Sequence, residues 1–532
     1  MAAGYAASPG EGLPREQAAP QTARGLQHRK ALVACCLIGL AQATGPTIST
    51  LLPPTTPSVF SLAQTERQVL TNIGVLLFVL FVLGGGALGD LFGRKRVFMI
   101  GAIGFVIVNA VSAFSLNIPM FVTLRLLAGV FGALIAALAL AVIRTTFHPH
   151  ELPIALGVYT GLFGVGQMVN PLLTQLVRGI FDVRVTFVLP VVLGLAGIYV
   201  ARGHVHESIA SGGRGRNDAI STVAWAAVLL ALVFGITDIG NGAYDAYVSY
   251  SIYVALGVGV VGLLTLTWLA ITTHGQALGG ALPNKRALTI AVVAGVIIAL
   301  VFSGILIQFV NFFLTIQHRR PLLMVLSIAP VAPGLLLGGL LVSRFANRVG
   351  ARTLISGGLV IMGLSSAALS FITPDISYVW LWLPIFFLGL GFNLANTSVI
   401  DTLLGLVSRD LAGAAAGITE SVGRIGGALG PAVTGALLLR LAASPARQRL
   451  ENAGLTSEQI KSAVKALNEV LQNTEITVPQ ASQAILDRLV AGYREYYATG
   501  LGQALLIGAA ICLICAALVR FGMPKHTSAP EK

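Results

Sequence analysis

The chain is read as an all-α integral membrane protein of about fourteen transmembrane helices. Three observations lead there. Of its 532 residues, 55% are hydrophobic and 10% are charged, whereas a soluble domain has about 25% charged residues. The supply is too small to coat a soluble globule. The apolar residues fall in runs near the ~20 residues that a helix needs to cross a bilayer. The basic residues gather in alternate loops between those runs, the bias that orients spanning helices.

The runs are 31–52, 68–89, 97–115, 119–143, 153–177, 185–203, 220–238, 247–273, 287–314, 322–342, 353–373, 378–406, 413–440 and 498–522. An even number puts both termini on one side. With that side cytoplasmic, the inner segments hold Arg94, Lys95, Arg96, Arg144, Arg202, Arg344, Arg348 and Arg352 among others. The short outer loops hold Arg67, Arg178, Arg184, Arg319 and Arg320, of which the last two form the pair that runs against the rule. The net charge of +13 therefore reports topology, and no nucleic-acid partner is expected.

Residues 1–30 are polar and rich in Ala, Gly, Pro and Gln, which reads as a disordered cytoplasmic tail. They lack the apolar core of a cleaved signal. Residues 204–219 form a polar, Gly-rich cytoplasmic linker, and 523–532 a second cytoplasmic tail. Residues 441–497 interrupt the apolar pattern. Within them Thr456-Ser457-Glu458-Gln459 has capping-box spacing, followed by Ile460, Val464, Leu467 and Leu471 at helical spacing. That segment reads as an extracytoplasmic helical hairpin, either a cap on the outer face or an element of substrate exit or docking.

The most specific motif joins the second and third runs, Gly86-Ala87-Leu88-Gly89-Asp90-Leu91-Phe92-Gly93-Arg94-Lys95-Arg96. Gly93 supplies backbone freedom for a tight turn, and the cations hold the turn in the cytoplasm. Asp90 at the membrane boundary needs a cationic partner. An echo, Asn347-Arg348-Val349-Gly350-Ala351-Arg352, follows about half a chain later. Internal repeats of that kind belong to two-halved transporters.

On these residues the chain resembles the major facilitator superfamily, over roughly 31–522 apart from the hairpin. GALGDLFGRKR is similar to its signature loop between helices two and three, and NRVGAR to the weaker second copy. Arg125 within Leu124–Gly129 resembles the helix-four motif. Gly157, Gly161, Gly166 and Pro171 resemble the antiporter motif of helix five. Ser421–Gly430 resembles a stretch of the fourteen-span drug:proton antiporters. Two departures stand beside the likeness. Thr44 stands where that branch carries an acid in helix one, and Asn170-Pro171-Leu172-Leu173-Thr174-Gln175 replaces a glycine-rich ending in helix five.

The resemblance implies two six-helix bundles, 31–203 and 287–440 with 498–522, and two extra central helices within 220–273. It implies a conformational motif at Gly86, Asp90, Gly93, Arg94 and Lys95. It also implies export of an amphipathic small molecule or drug, cationic compounds included, in exchange for protons; a monomer in the plasma membrane, a bacterial inner membrane, is expected.

Ionisable groups inside a bilayer are costly and mark function. Arg125 near mid-span is a candidate for substrate binding or proton coupling, or else a structural clamp. Glu420 and Arg424 share a helix face at i,i+4; they form either a permanent ion pair or a carboxylate whose proton comes and goes. Gln42, Thr44, Gln167, Asn170, Gln308, Asn311, Asn393 and Asn396 make a polar seam that bridges helices or lines a cavity. Asp401 near the end of its run reads most simply as solvated.

Cys35, Cys36, Cys512 and Cys515 all lie in apolar runs and read as small helix residues rather than redox or metal groups. His148 and His150 in a loop lack further ligands nearby. No Walker loop, nucleophile elbow or dinucleotide fingerprint is present. ATP-driven transport and membrane hydrolysis therefore lack support, no catalytic residue is assigned, and no cofactor is expected. The remaining alternatives are a carrier for a specific metabolite or lipid, and a non-transporting receptor or scaffold that uses the hairpin.

Overall fold

In a bilayer every backbone amide must be satisfied within its own segment, so apolar runs become helices. A computed structural model describes residues 21–45, 77–78, 81–82, 84–209, 285–407, 412–452 and 483–524. The expected two central helices of 220–273 and the middle of the hairpin lie outside these residues.

The N-terminal half comprises α1 (Gln21–Thr44), α2 (84–92), α3 (Arg94–Ser112), α4 (Ile118–Thr146), α5 (Leu152–Ile180) and α6 (Val188–His204). A 3-10 turn, Val183–Phe187, leads into α6. The C-terminal half comprises α7 (Lys285–Asn311), α8 (Pro321–Ile328), α9 (Val331–Val349), α10 (Ala351–Leu369), α11 (Tyr378–Gly405), α12 (Ala412–Asn452) and α13 (Gln483–Gly522). Among the described residues there is no strand, and nine helices are long and apolar enough to cross a membrane.

Three boundaries differ from the sequence reading. The run 322–342 is two helices, because Pro330 lacks the N–H to continue α8 and α9 restarts behind it. The run ending at 440 continues as unbroken helix to Asn452, and the last helix begins at Gln483 rather than 498. Both arms of the hairpin thus include direct extensions of long helices.

Within the N-terminal half α1 packs on α6, α5 and α4, and α3 on α4 and α6. Within the C-terminal half α7 packs on α12, α10 on α11 and α13, and α9 on α11. The halves meet along α5 with α9 and α11, and along α4 with α12. Asn117 caps α4 by accepting from the Met120 N–H at 2.9 Å, and Pro119 follows in the first turn, where its missing N–H costs nothing.

The internal repeat is visible in the backbone. Gly93 between α2 and α3 has φ 104°, and Gly350 between α9 and α10 has φ 80°. These are conformations that side chains oppose, so each half makes its tight turn on a glycine. Arg319, the outer cation that ran against the charge bias, is not a free loop charge. It donates to Ser327 Oγ at 2.9 Å and lies over the rings of Phe313 and Tyr378 at 5.2 and 5.6 Å.

Candidate functional site

At the end of the bundle that carries Arg94–Arg96, the motif residues form one connected unit. Asp90 and Arg94 are buried. Arg94 donates to Asp90 Oδ1 from Nε at 2.9 Å and from Nη2 at 2.8 Å, a buried ion pair. The same oxygen accepts the Gly413 N–H at 3.0 Å, at the start of α12. Gly86 lies against that contact, since a Cβ on Gly413 would overlap the Gly86 carbonyl oxygen. Asp90 therefore joins the N-terminal half to the C-terminal half.

Lys95 Nζ donates to the Arg202 carbonyl at 2.9 Å. Glu207, in the linker after α6, accepts from the backbone N–H groups of Lys95 at 3.0 Å and Arg96 at 3.2 Å. Its carboxylate caps the N-terminus of α3, where free N–H groups and the helix dipole favour an anion. Sequence reading passed over Glu207. Its one signal was an acid placed four residues beyond the end of the run 185–203.

Other bonds between the halves lie toward this end. Arg144 Nε donates to the Leu404 carbonyl at 3.0 Å. Asp401 is half-buried within the electrostatic reach of Arg144, unlike the solvated end expected for it. Asn347 Nδ2 donates to the His150 carbonyl at 2.7 Å. Deeper, the hydroxyls of Thr160 (α5) and Thr397 (α11) are 2.7 Å apart. Thr397 donates to Asn393 Oδ1 at 3.2 Å, and Asn393 Nδ2 donates to the Leu335 carbonyl of α9 at 2.6 Å. Beside this chain α5 and α9 touch through Gly157 and Gly339, where a Cβ on either would overlap the other's carbonyl oxygen. Thr160 and Thr397 gave no sequence signal, since threonines in apolar helices usually bond their own preceding turn.

The expected seam divides. Asn393 belongs to the chain just described. Asn170 is buried and donates to the Gly45 carbonyl at 2.8 Å, satisfying the backbone where α1 stops before Pro46. Thr44 bonds the carbonyls of Leu40 at 2.8 Å and Ala41 at 3.2 Å, so its hydroxyl is used within its own helix. Gln308 is buried and accepts from the Tyr497 hydroxyl at 3.4 Å, within the C-terminal half. Gln167 and Asn311 are exposed, and Asn396 is half-buried. Gln42 is half-buried, yet its Oε1 is buried and has no hydrogen-bond partner among the described residues.

Arg125 is buried and turned toward α3 and the 3-10 turn before α6. It donates to Asn109 Oδ1 at 3.3 Å and to Ser112 Oγ, and lies 4.9 Å from the Phe187 ring centroid. The structure does not bring it to the Glu420 group.

Glu420 and Arg424 share a face of α12, but among the described residues no ion pair joins them. Arg424 instead lies 3.9 Å from the ring centroid of Phe78, in the other half. Tyr159 of α5 lies within the electrostatic field of both charges. Both side chains are half-buried. On the same face, a Cβ on Gly423 or Gly427 would meet no described atom within 4 Å. Open space therefore lies beside this charged pair, between the halves. Phe78 and Tyr159 carried no signal that set them apart from core aromatics.

All four cysteines are free and buried. Among the described residues no group of three or more His, Cys, Asp or Glu side chains is placed to hold a metal ion.

A family model described as the Major Facilitator Superfamily matches residues 31–431. The chain belongs to that superfamily. As a member of it, the chain is a multi-pass membrane transporter. The tetracenomycin C resistance and export protein of Streptomyces glaucescens is 25% identical over 514 residues, 94% of this chain and 93% of that protein. The multidrug efflux pump LfrA of Mycolicibacterium smegmatis is 24% identical over 92% of this chain and 95% of its own length. The puromycin resistance protein pur8 of Streptomyces alboniger is 28% identical over 73% of this chain and 77% of its own. Among solved structures, the human organic anion transporter MFSD10 (TETRAN) superposes with a TM-score of 0.61 at 13% identity, covering 94% of this chain and all of that one. At that identity the likeness speaks for the fold alone.

Proposed function

We propose that this superfamily member is a secondary active exporter of amphipathic small molecules or drugs, driven by proton antiport through alternating access. The observation that carries the reading is Asp90 bonded to Gly413 across the halves at one end, with Glu420 and Arg424 facing open space between the halves further in. A transporter closed at one end with an ionisable pair at its centre has the parts that alternating access requires. The names borne by the relatives, which concern resistance, export and efflux, support drugs as the cargo.

In this reading the protein works as a monomer, with protons as the coupling ion and no cofactor or enzymatic step. It has fourteen spans in a bacterial inner membrane, and both termini are cytoplasmic. The Arg94–Arg96 turn then lies inside, and the structure described above is closed toward the cytoplasm. A cysteine probe at exposed Phe92 should react from the cytoplasmic side only; labelling from outside would reverse the orientation.

Glu420 is the proton carrier in this scheme. A carboxylate beside an arginine stacked on an aromatic ring of the other half changes its proton affinity by one pKa unit for ~1.4 kcal/mol, within reach of a rocking motion that moves Phe78 and Tyr159 relative to α12. The deciding experiment is purified protein in liposomes with an imposed pH gradient and a panel of labelled compounds. Wild type should accumulate substrate uphill. Glu420→Gln should still bind substrate and lose gradient-driven accumulation. Uphill transport by Glu420→Gln at native stoichiometry would place the carrier elsewhere, and absence of flux for every compound would favour a receptor or scaffold.

A further inference from the structure

Six residues, with Gly39 as the link from Tyr159 back to Gln42, form a circuit between the halves. A Cβ on Gly132 of α4 would lie 3.5 Å from Gln42 Nε2 and 3.8 Å from Phe78 Cε2. Phe78 stacks under Arg424. Glu420 lies one turn before Arg424 and shares its field with Tyr159. The Tyr159 ring in turn covers Gly39, where a Cβ would meet Cε2 at 2.7 Å, and Gly39 lies one turn before Gln42. Along α12, on the face of Glu420 and Arg424, a Cβ on Gly423 or Gly427 would meet no described atom within 4 Å, while Gly426 is packed tightly on α7 at Val296.

The chemistry around that point is lopsided. Gln42 Oε1 is buried without a donor, and Glu420 has no hydrogen bond among the described residues. A buried acceptor without a partner is unfavourable, and a ligand donor relieves it. Arg424 offsets the charge of Glu420, so a fixed cation gains little. Phe78 and Tyr159 contribute aromatic faces, and a guanidinium already stacked on one ring can stack a second on its free side.

From this geometry we infer that the Gln42–Phe78–Gly132–Tyr159–Glu420–Arg424 circuit is a binding site for flat aromatic compounds that carry neutral hydrogen-bond donors such as phenolic hydroxyls. The inference rests on the export reading and names its cargo. The ring stacks against the guanidinium and the aromatic side chains, and the donors go to Gln42 Oε1 and the Glu420 carboxylate.

The test is equilibrium binding to the full chain in nanodiscs with no gradient, using dihydroxynaphthalene, its dimethyl ether and ethidium. The diol should bind about tenfold more tightly than the ether, a difference of ~1.4 kcal/mol, and more tightly than ethidium. Gln42→Leu should narrow the gap between diol and ether to about threefold or less. Gly423→Leu fills the open space with a better helix former and should abolish binding of both; Gly427→Leu serves if that variant fails a thermal-unfolding control. Equal affinity for diol and ether, tighter binding of ethidium, or unchanged binding in a folded leucine variant would overturn the assignment. Loss of gradient-driven flux with the diol preference intact counts against the export reading alone. Normal flux with no preference overturns the ligand class alone.

Discussion

Asp90 Oδ1 accepts three hydrogen bonds at once, two from Arg94 and one from the backbone N–H of Gly413. The first two belong to the turn in which Asp90 sits. The third belongs to the other half of the protein. One oxygen thus couples the turn to the relative position of the halves, and the signature motif acquires a conformational meaning that charge bias alone would not require.

Asp90→Asn removes the charge and keeps an acceptor for Gly413. Breaking a buried ion pair from one side costs about 3–5 kcal/mol, some of which Arg94 recovers by reaching water. The variant should still insert. Its turnover should fall by at least about tenfold, the equivalent of ~1.4 kcal/mol in a barrier. Labelled-substrate flux from a well-expressed variant checks this, and native turnover would reduce the motif to a topological signal.

The Gly157–Gly339 contact leaves no room for a side chain. Gly157→Ala should force α5 from α9, at the ~1–3 kcal/mol typical of overpacking. Spin-label distances between the halves at the Arg94 end should lengthen. Unchanged distances would show that the backbone relaxes without opening the interface.

Thr160 and Thr397 offer a direct measure of one bond between the halves. Thr160→Val, Thr397→Val and the double variant form a cycle on unfolding free energy. The coupling should be about 0.5–1.5 kcal/mol, the net worth of one such bond. A coupling near zero would assign the 2.7 Å contact no share in holding the halves together.

Glu207 caps α3 from the linker. Glu207→Ala should cost about 1 kcal/mol, as loss of an N-cap does, seen as a lower midpoint in thermal unfolding of the purified protein. Glu207→Gln keeps the acceptor and should fall between wild type and alanine. Equal stability of all three would make the linker contact incidental.

The helices and the signature turn were legible because both follow from local rules. Apolar runs must be helical in lipid, and a turn between Gly89 and Arg94 needs a residue that accepts positive φ. The candidate site was legible only in part. Glu420 and Arg424 were visible as costly charges on one face, and i,i+4 spacing allowed them to pair. The structure turns Arg424 onto Phe78 instead, because the other half offers an aromatic face to a guanidinium. Arg125 was visible in the same way, yet its neighbours are Asn109, Ser112 and Phe187. Thr44 and Asn170 looked alike as seam residues, but one bonds its own helix and the other the Gly45 carbonyl just past α1.

By itself the sequence determined that this chain lives in a membrane as a helical, two-halved protein with a cationic turn at one end. Each of those properties depends on composition, run length and short spacings, which survive without knowledge of neighbours. Only the tertiary structure decided that Asp90 reaches Gly413, that Thr160 meets Thr397, and that Phe78 and Tyr159 face Glu420 and Arg424. Those contacts join residues hundreds of positions apart. They depend on which face each helix turns to its neighbour, and in a chain apolar on most faces the periodic pattern carries little record of that choice.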